Sequence, residues 1–390
     1  MMMLWFIFFT SWAQANECRA GGLNEELEVY LLTSGPGNGL YTKVGHSALW
    51  VSGASESNTV FNWGAYDGSQ ENFLWKFFMG TAHYQLFMMH PTRNIARVKS
   101  EKQILYAQHL NLPPKQKEVL QQLLHQHALP ENRTYLYHWE QQNCATLIRD
   151  ILDSSTNGAL HQVQLDDLPS KREEVLRHMF DTPWLWFGWH FMASDYADEQ
   201  YESFDILHIP VQLMNNVSKA TIVWEDGVER PLVDHTCILN EGQGWAAKEV
   251  SSRWTWFWGS GLGLAALGFL SFKHRILKII QNCILMGFFF FSGSLSLFFI
   301  ICWIFSNLDG YGWNENWFFA HPLHFFGGFL IWRAPQKIHD IISKIWFLLS
   351  IFGLIWHILD PTPQQNLDII GFFLLPTIAL SIKWHQNKPA

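Results

Sequence analysis

Cys144 is the residue of this chain best placed to act as a nucleophile. It follows the polar stretch Glu140 to Asn143. Leu147, Ile148, Ile151 and Leu152 come next, and their helical spacing predicts a helix that Cys144 opens. A helix N-terminus presents free N–H groups and a positive dipole end, which favour a thiolate and can receive the oxyanion of a tetrahedral intermediate. Acyl transfer by a thiol also needs a base. His46, in Lys43-Val44-Gly45-His46-Ser47-Ala48 on a predicted strand, is the candidate, and Gly45 permits close approach of another backbone or a ligand. Asn62, on the strand after His46, either holds the imidazole or ends that strand as a turn residue. Asn143 either supports the site or caps the helix. Arg149 forms an ion pair or helix-surface pair with Asp150, or else faces a lipid phosphate.

Segment 16–253 holds Cys18, Cys144 and Cys237, so one of them must lack a partner within it. Pairing Cys18 with Cys237 leaves the helix-opening thiol free, whereas a disulfide through Cys144 would make that residue structural. The 18 His residues show no HExxH spacing and the cysteines no CxxC, so no metal centre is expected. His125-Gln126-His127 reads as a solvated helix surface. The net charge of −8, with no basic stripe in the charged part, gives no footprint for nucleic acid.

Several elements must position these residues. Glu28 to Thr33, Val44 to Val51, Thr59 to Trp63 and Thr134 to Trp139 read as strands, the second and third forming a hairpin across Gly53 to Ser57. Residues 113–128 read as a helix. Val217 to Trp224 and Val228 to Val233 read as a hairpin turning on Glu225-Asp226-Gly227.

The 390 residues divide by composition. Residues 1–15 are short and hydrophobic and end in Ala13-Gln14-Ala15, which predicts a signal peptide, the alternative being an uncleaved anchor. Residues 16–253 carry most of the charge. Residues 254–390 are apolar and aromatic and predict five spans, at 255–272, 284–306, 317–332, 343–359 and 366–382. The third contains Pro322 and is expected to be tilted, kinked or re-entrant. Lys273, Arg275, Lys278, Arg333, Lys337, Lys344, Lys383 and Lys388 all fall on one side of this arrangement, opposite the 16–253 domain. The aromatic stretch Pro183 to Met192, with Trp186 at its centre, is expected to dip into the bilayer surface and give an acyl chain a dry route to the thiol, the alternative being core. Asn316 and His321, at the start of the third span, either line the path of lipid or acceptor or pack among interfacial aromatics.

Tyr41-Thr42-Lys43-Val44-Gly45-His46-Ser47-Ala48-Leu49, Phe61-Asn62-Trp63-Gly64, Asn72 to Phe77 and Asn143-Cys144-Ala145-Thr146-Leu147-Ile148-Arg149-Asp150 resemble the Bacteroides-type lipoprotein N-acyltransferases (Lnb). Asn314-Glu315-Asn316-Trp317 and His321-Pro322-Leu323 extend the resemblance into the apolar part. The order of His on a strand, then Cys opening a helix, also resembles the circularly permuted papain-like group that includes the lecithin:retinol acyltransferase relatives. The resemblance implies an α+β permuted papain-like domain followed by an α-helical transmembrane bundle. It implies a location in the bacterial inner membrane, with the N-terminal domain facing the periplasm. It further implies an enzyme with Cys144 as nucleophile and His46 as its base, a phospholipid as acyl donor, the α-amine of a diacylated lipoprotein as acceptor, and no organic cofactor. Three other readings stand beside it: a phospholipase or thioesterase using water at the same site, a cysteine peptidase, and a non-enzymatic membrane scaffold.

Overall fold

The computed structural model describes residues 27–37, 39, 42–53, 56–66, 71–245, 252–327 and 335–386. The expected signal peptide and Cys18 lie outside these residues. The elements run, in chain order, β1 (Glu28–Ser34), β2 (His46–Gly53), β3 (Glu56–Ala65), α1 (Phe73–Phe78), β4 (His83–Met89), α2 (Pro91–Ser100), β5 (Leu105–Leu110), α3 (Pro114–Ala128), β6 (Thr134–Leu136), α4 (Cys144–Ser155), α5 (Lys171–Met179), α6 (Pro183–Met192), α7 (Pro210–Val217), β7 (Thr221–Val223), β8 (Glu229–Pro231), β9 (Val233–Asn240), α8 (Trp254–Phe269), α9 (Arg275–Phe305), α10 (Gln336–Leu359) and α11 (Leu367–Gln386).

These elements form two compact units. One takes the chain to Leu168 and resumes from Gln200 through β9. The other takes Pro169–Glu199 and the helices from α8 onward. In the first unit, strands pair antiparallel in one seven-stranded sheet of order β6-β4-β3-β2-β1-β5-β9, with β7-β8 a separate hairpin. The sheet is apolar on both faces because its central strands alternate two hydrophobic sets. Val29, Leu31, Leu49, Val51, Phe61 and Trp63 pack with Leu120, Leu124, Ile148 and Leu152 of α3 and α4. Tyr30, Leu32, Ala48, Trp50, Val60 and Ala107 pack with Val98 of α2. Each such buried aliphatic side chain contributes about 1.5–3 kcal/mol.

The sequence expectations need three corrections here. The strand expected at Thr134 to Trp139 ends at Leu136, and the expected hairpin at 217–233 starts only at Thr221, because Pro210 opens a helix that runs to Val217. The residues after that hairpin form β9, which joins the main sheet beside β5. Cys237 on β9 is disulfide-bonded, while Cys144 is free.

The domain boundary expected at 253/254 also shifts, because Pro169–Glu199 packs with the C-terminal helices. Buried Arg172 is held by Asp198 through two hydrogen bonds, at 2.6 and 3.0 Å. Asn314 Nδ2 donates to the Phe191 carbonyl at 2.9 Å, and Gln364 Nε2 to that of Ala193 at 2.8 Å. Charge made this segment read as water-soluble, but Arg172 and Asp198 neutralise each other inside the second unit.

Among the described residues, two helical stretches of the second unit, Arg275–Phe305 and Lys337–Leu359, are long and apolar enough to cross a membrane. With 16 residues, α8 spans about 24 Å, less than a hydrocarbon core of about 30 Å. α11 follows the fifth expected span and carries Pro376 inside it. The third expected span, 317–332, is not one continuous helix. A 3-10 turn at Glu315–Phe318 is followed by a break, and helix resumes at Leu323. Pro322 accounts for the break, since it donates no N–H and disfavours helical geometry at His321.

A candidate thiol–imidazole site

Asn143 fixes the start of α4. Its Oδ1 accepts from the amides of Ala145 at 2.8 Å and Thr146 at 2.9 Å, while Thr146 Oγ1 accepts from the Asn143 amide at 2.8 Å. Its Nδ2 donates to the carbonyls of Trp139 at 2.6 Å and His208 at 3.0 Å. Every polar group of the side chain is thereby spent on the turn that delivers Cys144, and none is left to face a lipid. His208 braces the same turn: Nδ1 donates to the Trp139 carbonyl at 3.1 Å, and Nε2 accepts from the Tyr201 hydroxyl at 2.7 Å.

His46 opens β2. Gly45, at φ 89°, makes that start possible, since a Cβ there would stand 2.6 Å from the Ser34 carbonyl oxygen and 2.7 Å from Trp245 Cζ2. Leu49 pairs with Phe61 across β2 and β3. Strand alternation from that pair puts Asn62 on the face that also takes His46. Asn62 Oδ1 lies 3.4 Å from His46 Nε2, so Nε2–H is the donor in that contact and Nδ1 is left with its lone pair. Gly64, two residues on at φ 96°, joins the parts. A Cβ at this position would stand 3.7 Å from Cys144 Cβ and 3.8 Å from His46 Cε1, so its bare backbone borders the thiol and the imidazole together.

The electrostatics depart from the helix-terminus expectation. Burial pushes the Cys144 thiol up, against backbone amides of Ser47, Cys144 and Ala145 that pull it down. Desolvation lowers His46 to about 4, with the Arg97 charge adding to the effect and the Asn62 hydrogen bond opposing it. The resting pair is therefore a neutral thiol and a neutral imidazole. Both side chains keep partial solvent exposure, so a substrate can reach them. A neutral base beside a thiol at the start of a helix has the parts needed for nucleophilic attack on an acyl carbon.

The remaining expected residues fall elsewhere. Arg149, buried along α4, bonds Asp150 Oδ1 at 2.8 Å and sits 4.2 Å over the Phe204 ring, which ties α4 to the 3-10 turn at Asp205–His208. Trp186, Asn316 and His321 belong to the second unit. Trp186 is buried and stacked on Phe257 at 5.8 Å, so it is core, and Trp184 is the exposed indole of α6. Asn316 Nδ2 donates to the Phe191 carbonyl at 3.0 Å, and its Oδ1 accepts from Asn366 at 3.1 Å. His321 is buried against His324, with ring centroids 4.3 Å apart.

The structure adds participants that the sequence reading passed over. Gly64 lay inside a quoted motif, but nothing in one sequence marks it as the residue between base and thiol. Tyr135 of β6 carries a hydroxyl buried beside Cys144. The Gly64 amide lies within electrostatic reach of that hydroxyl but falls short of a hydrogen bond. Ser47 contributes only its backbone N–H, which no side-chain pattern can signal.

No curated protein and no solved structure matches the chain. Residues 23–182 match the family model of the Lnb N-terminal periplasmic domain, a range that contains His46, Asn62, Gly64, Tyr135 and Cys144. This part of the chain is similar to the Lnb N-terminal periplasmic domain, and it precedes helices long and apolar enough to cross a membrane.

Proposed function

We propose that the protein is a lipoprotein N-acyltransferase of the bacterial inner membrane, with a permuted papain-like site facing the periplasm. The observation that carries this reading is the convergence of the Cys144 thiol and the His46 imidazole on Gly64, with Asn62 holding Nε2 so that Nδ1 is available as base. His46 Nδ1 takes the thiol proton as sulfur attacks the ester carbonyl of a phospholipid, and the backbone amide of Cys144, the first of the helix, receives the developing oxyanion. The proton passes to the departing lysophospholipid oxygen, leaving an acyl-Cys144 thioester. The α-amine of a diacylglyceryl-cysteine, whose reference pKa is about 8, then attacks the thioester with His46 accepting its proton. The thiol leaves and is reprotonated. No organic cofactor enters the scheme.

The test is mass spectrometry of a synthetic diacylated lipopeptide incubated with phospholipid and purified protein, wild type beside Cys144→Ser. The expected result is a gain of one acyl chain on the peptide amine, absent in the variant. Lysophospholipid formed with the peptide left diacylated would replace the transferase by a phospholipase or thioesterase. Cleavage of a peptide substrate would replace it by a cysteine peptidase, and no Cys144-dependent turnover of any of these would leave a scaffold.

A further inference from the structure

Away from Cys144, three neighbouring strands of the first unit bring two imidazoles and two carboxylates together. His109 of β5 pairs with Tyr30 of β1 on one side and with His235 of β9 on the other. The β5–β9 ladder then slips: Leu110 pairs with Val233, so Asp234 is an extra residue in β9. Adjacent residues of a regular strand face opposite sides, and a bulge is the device that re-aims one of them. Here it turns Asp234 to the side of its neighbour His235. Asp234 Oδ2 lies 3.0 Å from His235 Nδ1 and 3.5 Å from His109 Nδ1. Glu28 of β1 accepts from His109 Nε2.

We propose that His109, Asp234 and His235 bind a divalent transition-metal ion of the zinc class. Each offers one ligand atom, and the three atoms lie within 4.8 Å of one another. A tetrahedral ion with bonds of about 2.0–2.1 Å separates its ligands by about 3.3–3.4 Å; the 3.0 and 3.5 Å separations bracket that value. The hydrogen bonding points the same way. Glu28 accepts a hydrogen bond from Nε2–H of His109, which fixes the tautomer with a lone pair on Nδ1. That is the carboxylate–imidazole–metal arrangement in which an outer carboxylate orients the ligand. His109 Nδ1 is buried with no hydrogen-bond partner among the described residues, a cost that an ion bound there would remove. Two imidazoles with a carboxylate suit zinc and its borderline neighbours rather than calcium or magnesium.

The ion's role follows from where it sits. β9 is the edge strand and reaches the sheet after the long excursion from Leu110 to Val233. An ion shared by β5 and β9 clamps that edge, on the same strand that carries the disulfide-bonded Cys237. It is a structural ion and takes no part in chemistry at Cys144.

The experiment uses the full chain in detergent, without a polyhistidine tag, stripped by chelator and carrying Cys144→Ser so that the site thiol cannot bind metal. Zinc ion alone is titrated calorimetrically while thermal unfolding is followed. One equivalent should bind and raise the midpoint. Glu28→Gln should weaken binding about 10–100-fold, while His235→Gln and Asp234→Asn should abolish both binding and the midpoint shift. Cobalt substitution gives a reading on the folded parent that needs no further variant: visible d–d bands without a thiolate charge-transfer band are expected. Absence of binding, unchanged affinity in both His235→Gln and Asp234→Asn, or a thiolate band, which would move the ion to exposed Cys283, would overturn the proposal.

Discussion

Gly64→Ala separates strain from chemistry. At φ 96° an L-residue sits in the left-handed region, which costs about 1–2 kcal/mol. Sterically the new methyl is tolerated, because its contacts at 3.7 Å to Cys144 Cβ and 3.8 Å to His46 Cε1 are ordinary van der Waals distances. It nevertheless occupies the space where, in the proposed reaction, base and thiol meet an acyl carbon, and displacement of a reacting centre by about 1 Å costs on the order of 100-fold in rate. Gly158 provides a matched control: its φ is 87°, and a Cβ there meets nothing within 4 Å. Both alanine variants should therefore lose a similar small stability, about 2–8 °C in Tm for a domain of this size. Only Gly64→Ala should lose acyl transfer, by on the order of 100-fold. The assay is lysophospholipid release at a temperature where both variants are fully folded by circular dichroism. If Gly64→Ala transfers acyl chains within about twofold of Gly158→Ala, the proposed reaction space beside Gly64 is wrong, however well the distances fit.

Two other expectations concern ionisation and capping. With His46 held near 4, the acid limb of kcat/KM should fall near pH 4 instead of 6.5. Because the folded state resists protonation that the unfolded chain accepts, stability should also decline as pH drops from about 6.5 toward 4. The raised Cys144 thiol should alkylate with iodoacetamide at a rate still climbing at pH 9, and a plateau near pH 7 would instead demonstrate a thiolate–imidazolium pair. Asn143→Ala should destabilise the first unit by at least about 2 kcal/mol by chemical unfolding, from the lost cap and the two abandoned carbonyls. Asn143→Asp should not restore it, since Asp accepts as well as Asn but cannot donate to Trp139 and His208; full restoration would mean that the cap alone matters.

The central hairpin and the start of α4 were legible because each rests on local information. Alternation in β2 and β3 shows as a period of two, and the turn before Cys144 is followed by a helical period. β9 was not legible as part of the sheet: Val233–Asn240 is an edge strand whose half-polar pattern acquires meaning only against β5. The His109, Asp234 and His235 cluster was invisible for the same reason, since strand pairing and a bulge assemble it from distant segments. Residues 169–199 misled by composition, because hydropathy counts Arg172 and Asp198 as two charges to be solvated, whereas the fold buries them as one neutralised pair.

Cys144 shows how a correct local inference can give a wrong ionisation state. The helix start is real, and backbone amides there pull the thiol down. A helix terminus contributes about 0.3–2 kcal/mol toward an anion, whereas burial of an ionisable group can shift its pKa by about 3–5 units, each worth about 1.4 kcal/mol. Burial is a property of the assembled sheet and of α3 and α4 above it, so no reading of residues 140–152 could have weighed the two. The consequence bears on the proposed reaction. A neutral pair gives an incoming ester a base at Nδ1 and amide donors already in place, and the charge separation that the resting site disfavours arises only as the acyl oxygen takes up negative charge beside those donors. The same amides that lose to burial in the ground state can thereby act in the transition state, which is the differential stabilisation that accelerates a reaction.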